Sequence, residues 1–164
     1  AILLLGSNMG DSALLLEQCR SLIASKIGTI ERASNVYQSE PWQMNDAQWF
    51  LNQAVRVKTE LSASELLSVA LEIERTMGRE RIHNSESGYQ SRTMDIDILF
   101  YNGEVHNSRE LIIPHPRLHE RRFALATLMD LGPGFVHPTL ELSIEALWEQ
   151  CEDASEVRPH SKVA

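Results

Sequence analysis

The sequence contains little cysteine and no long apolar run, and both shortages exclude classes of protein. Its 164 residues include two cysteines, Cys19 and Cys151, which lie far apart without the CxxC or Cys/His spacing of a metal site. We therefore expect two reduced thiols in a cytoplasmic protein rather than a disulfide framework. The most apolar N-terminal stretch, AILLL, is too short for a signal-peptide core or a membrane span, so we expect no membrane partner.

Lysine is also scarce, since 12 of the 15 basic residues are arginine, and the net charge is −8. Such an acidic chain lacks the basic surface with which nucleic-acid binders displace counterions, so we expect no nucleic-acid partner. Eight of the arginines nonetheless fall between positions 75 and 122. Guanidinium groups bind phosphate oxygens well, so this cluster favours a phosphorylated small-molecule ligand, although ordinary solvated surface charge also explains it.

Hydrophobic periodicity predicts an α+β fold, a mostly antiparallel sheet with a ferredoxin-like βαββαβ core covered by helices. We expect a single domain over residues 1–164, with a loose polar tail from about residue 152. The predicted elements are a strand over 1–5, a helix over 12–27, strands over 29–39 and 50–60, a helix from the Ser62–Glu65 capping box to Gly78, a strand over 94–101 with a hairpin return strand over 104–107, and helices over 120–131 and from Ser143.

The segment RTMDIDILF, residues 92–100, places two aspartates in a run otherwise typical of a buried strand. Strand alternation puts Asp95, Asp97, Leu99 and Tyr101 on one face, and Met94, Ile96, Ile98 and Phe100 on the other. The two carboxylates would lie about 5 Å apart and repel by roughly 3 kcal/mol at an effective dielectric of about 20. A solvated sheet face would offset that repulsion, and so would Mg²⁺, which prefers carboxylate oxygens and keeps positions for water and substrate phosphates.

Arg92 lies three residues upstream of this pair, at the end of a polar loop that also carries Arg79 and Arg81. From there a guanidinium group can reach phosphates held by metal ions and stabilise the charge that develops during transfer. The sequence contains neither a GxxxxGK[ST] P-loop nor a kinase glycine loop, which excludes the common ATP cradles.

Short segments along nearly the whole chain form one ordered pattern: GSNMG, EPW, FLNQAV, ELL…IE…GR, RTMDIDIL, LIIPHP and RRF. In order and spacing they resemble the 6-hydroxymethyl-7,8-dihydropterin pyrophosphokinase family. The resemblance implies a folate-pathway enzyme that moves diphosphate from ATP to the hydroxymethyl group of a pterin and releases AMP.

The resemblance also implies a role for each matching residue. Asp95 and Asp97 would hold two Mg²⁺ ions that bridge the ATP phosphates, and Arg79 and Arg92 would act as catalytic cations. The implied nucleotide-binding residues are Glu74, Arg81, His115 and Arg121. Phe50 and Phe123 would stack on the two faces of the pterin, while Asn52 would read its polar edge. The remaining pterin-pocket residues would be Gly6, Ser39, Pro41 and Trp42, largely through backbone groups.

Several of these residues have other interpretations. Phe50 and Phe123 also fit an ordinary core, and Asn52 fits a residue that satisfies strand backbone. His115 and His119 have the spacing of a zinc pair, but Pro116 prevents a regular helix between them and no third ligand accompanies them.

The sequence departs from the family on the nucleotide side. Tyr89-Gln90-Ser91 stands where the family has Trp-Gly-Pro or a similar stretch, and Pro116 stands where a tyrosine is usual. We expect an active, monomeric pyrophosphokinase with altered loop closure. Two alternatives remain open: transfer of diphosphate to a different heterocycle, and a pterin- or nucleotide-binding module without catalysis.

Overall fold

The computed structural model describes residues 1–41, 48–78 and 93–160. In these ranges the protein is an α+β fold with four α-helices and a largely antiparallel sheet. The elements are β1 (Ile2–Ser7), α1 (Ser12–Lys26), β2 (Gly28–Ala33), β3 (Tyr37–Ser39), β4 (Phe50–Thr59), α2 (Ala63–Thr76), β5 (Asp95–Phe100), β6 (His106–Asn107), β7 (Ile112–Ile113), a 3₁₀ turn (Leu118–Glu120), α3 (Arg122–Leu131), α4 (Ile144–Gln150) and β8 (Val157–Pro159).

The main sheet has the strand order β5-β1-β4-β3-β8, and β2 also pairs with β4. All of these pairings are antiparallel. Alternating residues of β1 face two separate cores: Leu3 and Leu5 pack against α1 and α2, whereas Leu4 packs against α3 and α4. The central strands β1 and β4 are thus buried on both faces.

Side-chain caps account for the beginnings of three helices. Asp11 accepts a hydrogen bond from the backbone of α1, and Ser143 does the same for α4. At α2, Ser62 and Glu65 form the predicted capping box. Helix α3 differs, because Arg121, its N-cap residue, makes no side-chain capping bond among the described residues.

A bulge in the β1–β5 pairing overturns part of the predicted alternation. Ile2 pairs with Phe100 but Leu3 pairs with Ile98, so the register shifts by one residue at this point. Phe100 therefore joins the core under α3, and Tyr101 packs against the core under α1 and α2, opposite to the prediction for both residues. Asp95 and Asp97 precede the bulge and keep their predicted common face.

The Asn102-Gly103 turn forms, with Asn102 at a φ of 52° and the Glu104 N–H donating to the Tyr101 carbonyl at 3.0 Å. The predicted hairpin is wrong, however, because the strand after the turn pairs with another partner. His106 and Asn107 pair with Ile113 and Ile112, so β6 and β7 form a small separate sheet.

The end of the chain is ordered rather than loose as far as residue 160. Strand β8 pairs with β3 and extends the main sheet by one strand. None of the helices within the described ranges has both the length and the apolar character needed to cross a membrane.

Candidate active site

One row of directly paired residues places an amide and a carboxylate on either side of a glycine. Gly6 of β1 pairs with Asn52 of β4 on one side and with Asp95 of β5 on the other. Directly paired residues of antiparallel strands point to the same face, which here is the face toward α3. Because neighbouring strands lie about 4.8 Å apart, Asn52 and Asp95 flank a floor roughly 10 Å wide, formed by the buried backbone of Gly6.

The Asn52 side chain is buried and oriented by two acceptors. Its Nδ2 donates to Ser39 Oγ at 2.8 Å and to the Tyr37 carbonyl at 3.3 Å. The other amide atom, Oδ1, turns toward Gly6, where an added Cβ would lie 3.4 Å from it. The amide N–H groups are therefore used within the protein, whereas the Oδ1 acceptor points toward the floor at Gly6.

Asp97 lies one row further along the same face, since it pairs with Leu4. Both aspartates are partly buried, and the Asp97 side chain is 28% exposed. In the described part of the chain, no group of three or more His, Cys, Asp and Glu side chains is placed to hold an ion. The oxygen-only pair on an open face nevertheless fits Mg²⁺, which takes few protein ligands and completes its shell with water and phosphate.

His115 reaches the aspartates from the segment after β7. Its Nδ1 accepts the Arg117 N–H at 3.2 Å, so the neutral ring carries its proton on Nε2, which lies 4.0 Å from Asp97 Oδ1. Burial, followed by the charge of Arg121, lowers the pKa of His115 to about 4. At neutral pH this residue is therefore an uncharged hydrogen-bond donor beside the acidic pair.

His119 does not join His115 in a metal site within the described structure. Its ring lies edge-on to that of His137, with centroids 6.5 Å apart, and its Nδ1 is buried without a partner among the described residues. Among the described residues, no third side chain completes a zinc site with these two histidines.

Glu74 lies on the opposite face of the sheet, in α2, and is 3% exposed. Its Oε2 accepts the backbone N–H of Ile96 at 2.8 Å. Ile96 is the residue between the two aspartates. Among the described strands β5 is at the edge of the sheet, so this carboxylate satisfies a donor that none of those strands takes. Sequence reasoning missed this contact, although a glutamate on the apolar face of a predicted helix signals it.

Phe50 and Phe123 are both partly buried rather than deep in a core. Phe50 opens β4 opposite Ser39, and Phe123 is the second residue of α3, with the Arg121 guanidinium 5.9 Å from its ring centre. Pro41, also partly buried, follows two residues after Ser39. Phe50 and Pro41 lie at the same end of the sheet as Asn52, and Phe123 lies at the beginning of the helix that covers this face.

Four of the predicted site residues, Trp42, Arg79, Arg81 and Arg92, lie outside the described residues. The remaining ones divide between the two faces of the sheet. Gly6, Ser39, Phe50, Asn52, Asp95 and Asp97 share the face toward α3, whereas Glu74 lies behind it.

The chain is similar in sequence and in fold to proteins of one family. A sequence model of the 7,8-dihydro-6-hydroxymethylpterin-pyrophosphokinase (HPPK) family matches residues 2–133. The chain is 39% identical over 132 residues to the 2-amino-4-hydroxy-6-hydroxymethyldihydropteridine pyrophosphokinase of Bacillus subtilis, covering 80% of this chain and 77% of the relative. The enzyme of the same name from Methylorubrum extorquens is 38% identical over 138 residues, covering 83% and 84% of the two chains.

Other relatives are much longer proteins. The folate synthesis bifunctional protein of Arabidopsis thaliana is 41% identical over 132 residues, which is 79% of this chain but 26% of the relative. A solved HPPK-DHPS structure in complex with substrates superposes with a TM-score of 0.72 at 16% identity, covering 92% of this chain and 42% of that one. That likeness shows a shared fold. The family match and the two bacterial relatives establish that this chain belongs to the 7,8-dihydro-6-hydroxymethylpterin-pyrophosphokinase family.

Proposed function

We propose that this protein transfers diphosphate from ATP to the hydroxymethyl group of 6-hydroxymethyl-7,8-dihydropterin in folate biosynthesis, giving the pterin diphosphate and AMP. Family membership supports the pyrophosphokinase activity, as do the names of relatives that match most of the chain. The observation that carries the proposal is the row Asn52–Gly6–Asp95, in which an oriented amide and an acidic group share one face of the sheet on either side of a glycine.

In the proposed reaction the hydroxymethyl oxygen attacks the β-phosphorus of ATP and loses its proton to solvent, the bond from that phosphorus to the AMP oxygen breaks, and AMP departs. The Asn52 Oδ1 acceptor would bind N–H groups at the edge of the pterin, so that the ring lies over Gly6. Phe50 and Phe123 would cover the ring faces, because flat heterocycles stack on aromatic side chains. The hydroxymethyl group would then point toward β5, where Asp97 and His115 lie.

Asp95 and Asp97 are proposed to hold two Mg²⁺ ions. When bound, such ions neutralise phosphate charge and orient the triphosphate for in-line attack. His115 would donate its Nε2 hydrogen to a phosphate oxygen, and Arg121 would add positive charge beside it. Arg79 and Arg92 remain the proposed catalytic cations and Arg81 a nucleotide-binding residue, on the strength of the family pattern. We propose that Glu74 acts on the nucleotide side indirectly, by positioning β5.

The remaining expectations are also retained as proposals. The strand order β5-β1-β4-β3, with α1 and α2 on one face, supports a ferredoxin-like core, and the two cores share β1 and β4, as in a single domain. We propose a monomer with ATP and a pterin as its ligands. The two free thiols fit a reducing compartment such as the cytoplasm.

A direct assay tests the proposed function. Purified protein is incubated with ATP, MgCl₂ and 6-hydroxymethyl-7,8-dihydropterin, and AMP and the pterin diphosphate are quantified by chromatography. We expect equal amounts of both products, and none when a chelator removes the metal. AMP formed only with a different heterocycle would contradict the assignment of substrate, and binding of both ligands without any AMP would contradict catalysis.

A further inference from the structure

The last described segment of the chain, residues 151–160, lies beyond the part that matches the family and contacts two sides of the candidate pterin pocket. We infer that this segment sets the separation between the Phe123 side and the Ser39 side of the pocket, and that Asp153 is its positioning residue. The inference rests on the proposed function, because it assumes that the pterin lies between these two sides.

The segment first binds the beginning of α3. Asp153 Oδ2 accepts the Arg122 N–H at 2.9 Å. Asp153, which is remote in sequence, thus caps the first turn of α3 in place of the N-cap residue Arg121. The Arg122 side chain returns two hydrogen bonds of 2.9 Å, from Nε to the Asp153 carbonyl and from Nη2 to the Cys151 carbonyl. Its guanidinium also stacks on Trp148, 4.5 Å from the ring centre. Phe123 follows Arg122 directly, so this anchor fixes the aromatic side of the pocket.

The segment then binds the opposite side through β8. Val157 pairs with Ser39, whose hydroxyl accepts the Asn52 amide hydrogen. The Glu156 N–H donates to Glu40 Oε1 at 2.8 Å, and the Glu40 N–H donates to the Glu156 carbonyl at 3.4 Å. The register places Val157 on the same face as Ser39, toward the pocket. Strand β8 therefore holds β3, the strand that orients Asn52.

The connection between these two anchors is short. Four residue steps separate Asp153 from Val157, and a fully extended chain spans at most about 14 Å over that length. Asp153 Oδ1 also accepts the Ser155 N–H at 2.9 Å, which turns the chain and shortens the connection further. The beginning of α3 and the edge of β3 therefore cannot separate while both anchors are intact.

The charge of Asp153 contributes to the first anchor. Burial alone would raise the pKa of this carboxyl, but hydrogen bonds from Ser155 and Arg122 outweigh that effect and lower it. The group is therefore an ionised acceptor at neutral pH, and such acceptors form the stronger class of hydrogen bond.

The test compares Asp153→Ala with Glu152→Ala, a matched control that removes an exposed carboxylate one residue earlier. The Michaelis constants for the pterin and for ATP are measured separately, together with thermal stability. We expect Asp153→Ala to raise the Michaelis constant for the pterin about 3- to 10-fold, a change of the size expected for loss of a helix cap. The Michaelis constant for ATP should change less than about twofold. Asp153→Asn, which keeps one oxygen acceptor, should lie between this variant and the wild type.

Three results would overturn the inference. The Michaelis constant for the pterin could be unchanged in Asp153→Ala, the constants for the pterin and ATP could rise equally, or Glu152→Ala could raise the pterin constant as much as Asp153→Ala does. If Asp153→Ala fails to fold, the Asp153→Asn measurement decides by the same criteria. If the wild type transfers no diphosphate, the proposed function fails separately. The positioning role is then decided by the pterin dissociation constant of each variant, measured from pterin fluorescence.

Discussion

Asn52 and Asp95 point to the same side of the sheet from different strands, with only the backbone of Gly6 between them. The amide and the carboxylate are thus separated by a surface without side chains, roughly two strand spacings wide. This spacing suits a flat ring that is bound at one edge by an amide and carries its reactive group toward a metal-bound phosphate.

A side chain added at Gly6 should impair binding of the pterin. A Cβ at this position would lie 3.4 Å from Asn52 Oδ1, and the larger side chain of Gly6→Val would occupy the floor itself. We expect kcat/KM for the pterin to fall at least about tenfold, which is ~1.4 kcal/mol of transition-state binding. The control is Gly103→Ala, where an added Cβ meets no described atom within 4 Å. Full activity of Gly6→Val would contradict the placement of the pterin.

Removal of Asp97 should abolish transfer while leaving the fold intact. Asp97 lies on the open face of β5, 28% exposed, and is proposed to hold metal. We expect Asp97→Ala to lose measurable AMP formation but to keep pterin binding, as measured by fluorescence titration. Glu110→Ala, which removes an exposed carboxylate outside the site, is the control. A fully active Asp97→Ala would refute the metal assignment.

Glu74 should contribute to stability through the backbone of β5. Glu74→Ala leaves the Ile96 N–H without the acceptor it has at 2.8 Å, and an unsatisfied buried donor costs about 1–3 kcal/mol. Urea denaturation should show a loss of that size, and a smaller loss for Glu74→Gln, whose carbonyl oxygen can still accept. Glu72→Ala, on the exposed side of the same helix, should change the free energy of unfolding by less than about 1 kcal/mol. Equal losses at positions 72 and 74 would contradict this role.

His115 should make the protein less stable as the pH falls from about 6.5 toward 4. Burial and the Arg121 charge lower its pKa in the folded state to about 4, below the ordinary value of 6.5. Between these values the unfolded chain binds a proton that the folded chain does not. Lowering the pH therefore favours the unfolded state and reduces the free energy of unfolding. The stabilisation is complete above pH 6.5 and is lost as the pH falls through this window.

This pH dependence is measured by urea denaturation of the wild type and of His115→Asn at pH 7 and pH 5. The wild type should lose more stability than the variant over this interval. His137, whose pKa is also lowered by burial and by His119, should account for part of the loss that remains in the variant. Identical slopes for both proteins would show that His115 is not responsible.

The two cysteines should differ sharply in reactivity. Cys19 is fully buried, and burial raises its pKa to about 12, so almost no thiolate forms at pH 8. Cys151 is partly exposed. A thiol reagent at pH 8 should therefore modify one group per folded chain, at Cys151, and both only after denaturation. Cys151→Ser should abolish the native reaction, and modification of Cys19 in the folded wild type would contradict its burial.

Local patterns predicted the helices and the strands β1, β4 and β5 well, because caps and periodicity act over a few neighbouring residues. The strand predicted over 29–39 is instead two strands, β2 and β3. The Ser62–Glu65 capping box and the Ser143 cap both form as predicted. The common face of Asp95 and Asp97 followed from alternation alone. These features depend on residues within one element, so the sequence contains the information needed to predict them.

Features that depend on distant partners were not predictable in the same way. The bulge opposite Ile2 reverses the faces of Phe100 and Tyr101, and pairing with β7 removes the expected hairpin. The tail from residue 152 looked unstructured because its polar sequence has no apolar face, yet β3 supplies hydrogen bonds that order it. Both predicted catalytic residues, Arg79 and Arg92, lie outside the described residues, so their roles remain predictions.

The pairing of β8 with β3 has a consequence for any shortened version of this protein. A chain ending near residue 133, where the family match ends, would leave the outer edge of β3 with unpaired backbone donors and acceptors. Exposed edges of this kind recruit strands from other molecules, so such a fragment should self-associate.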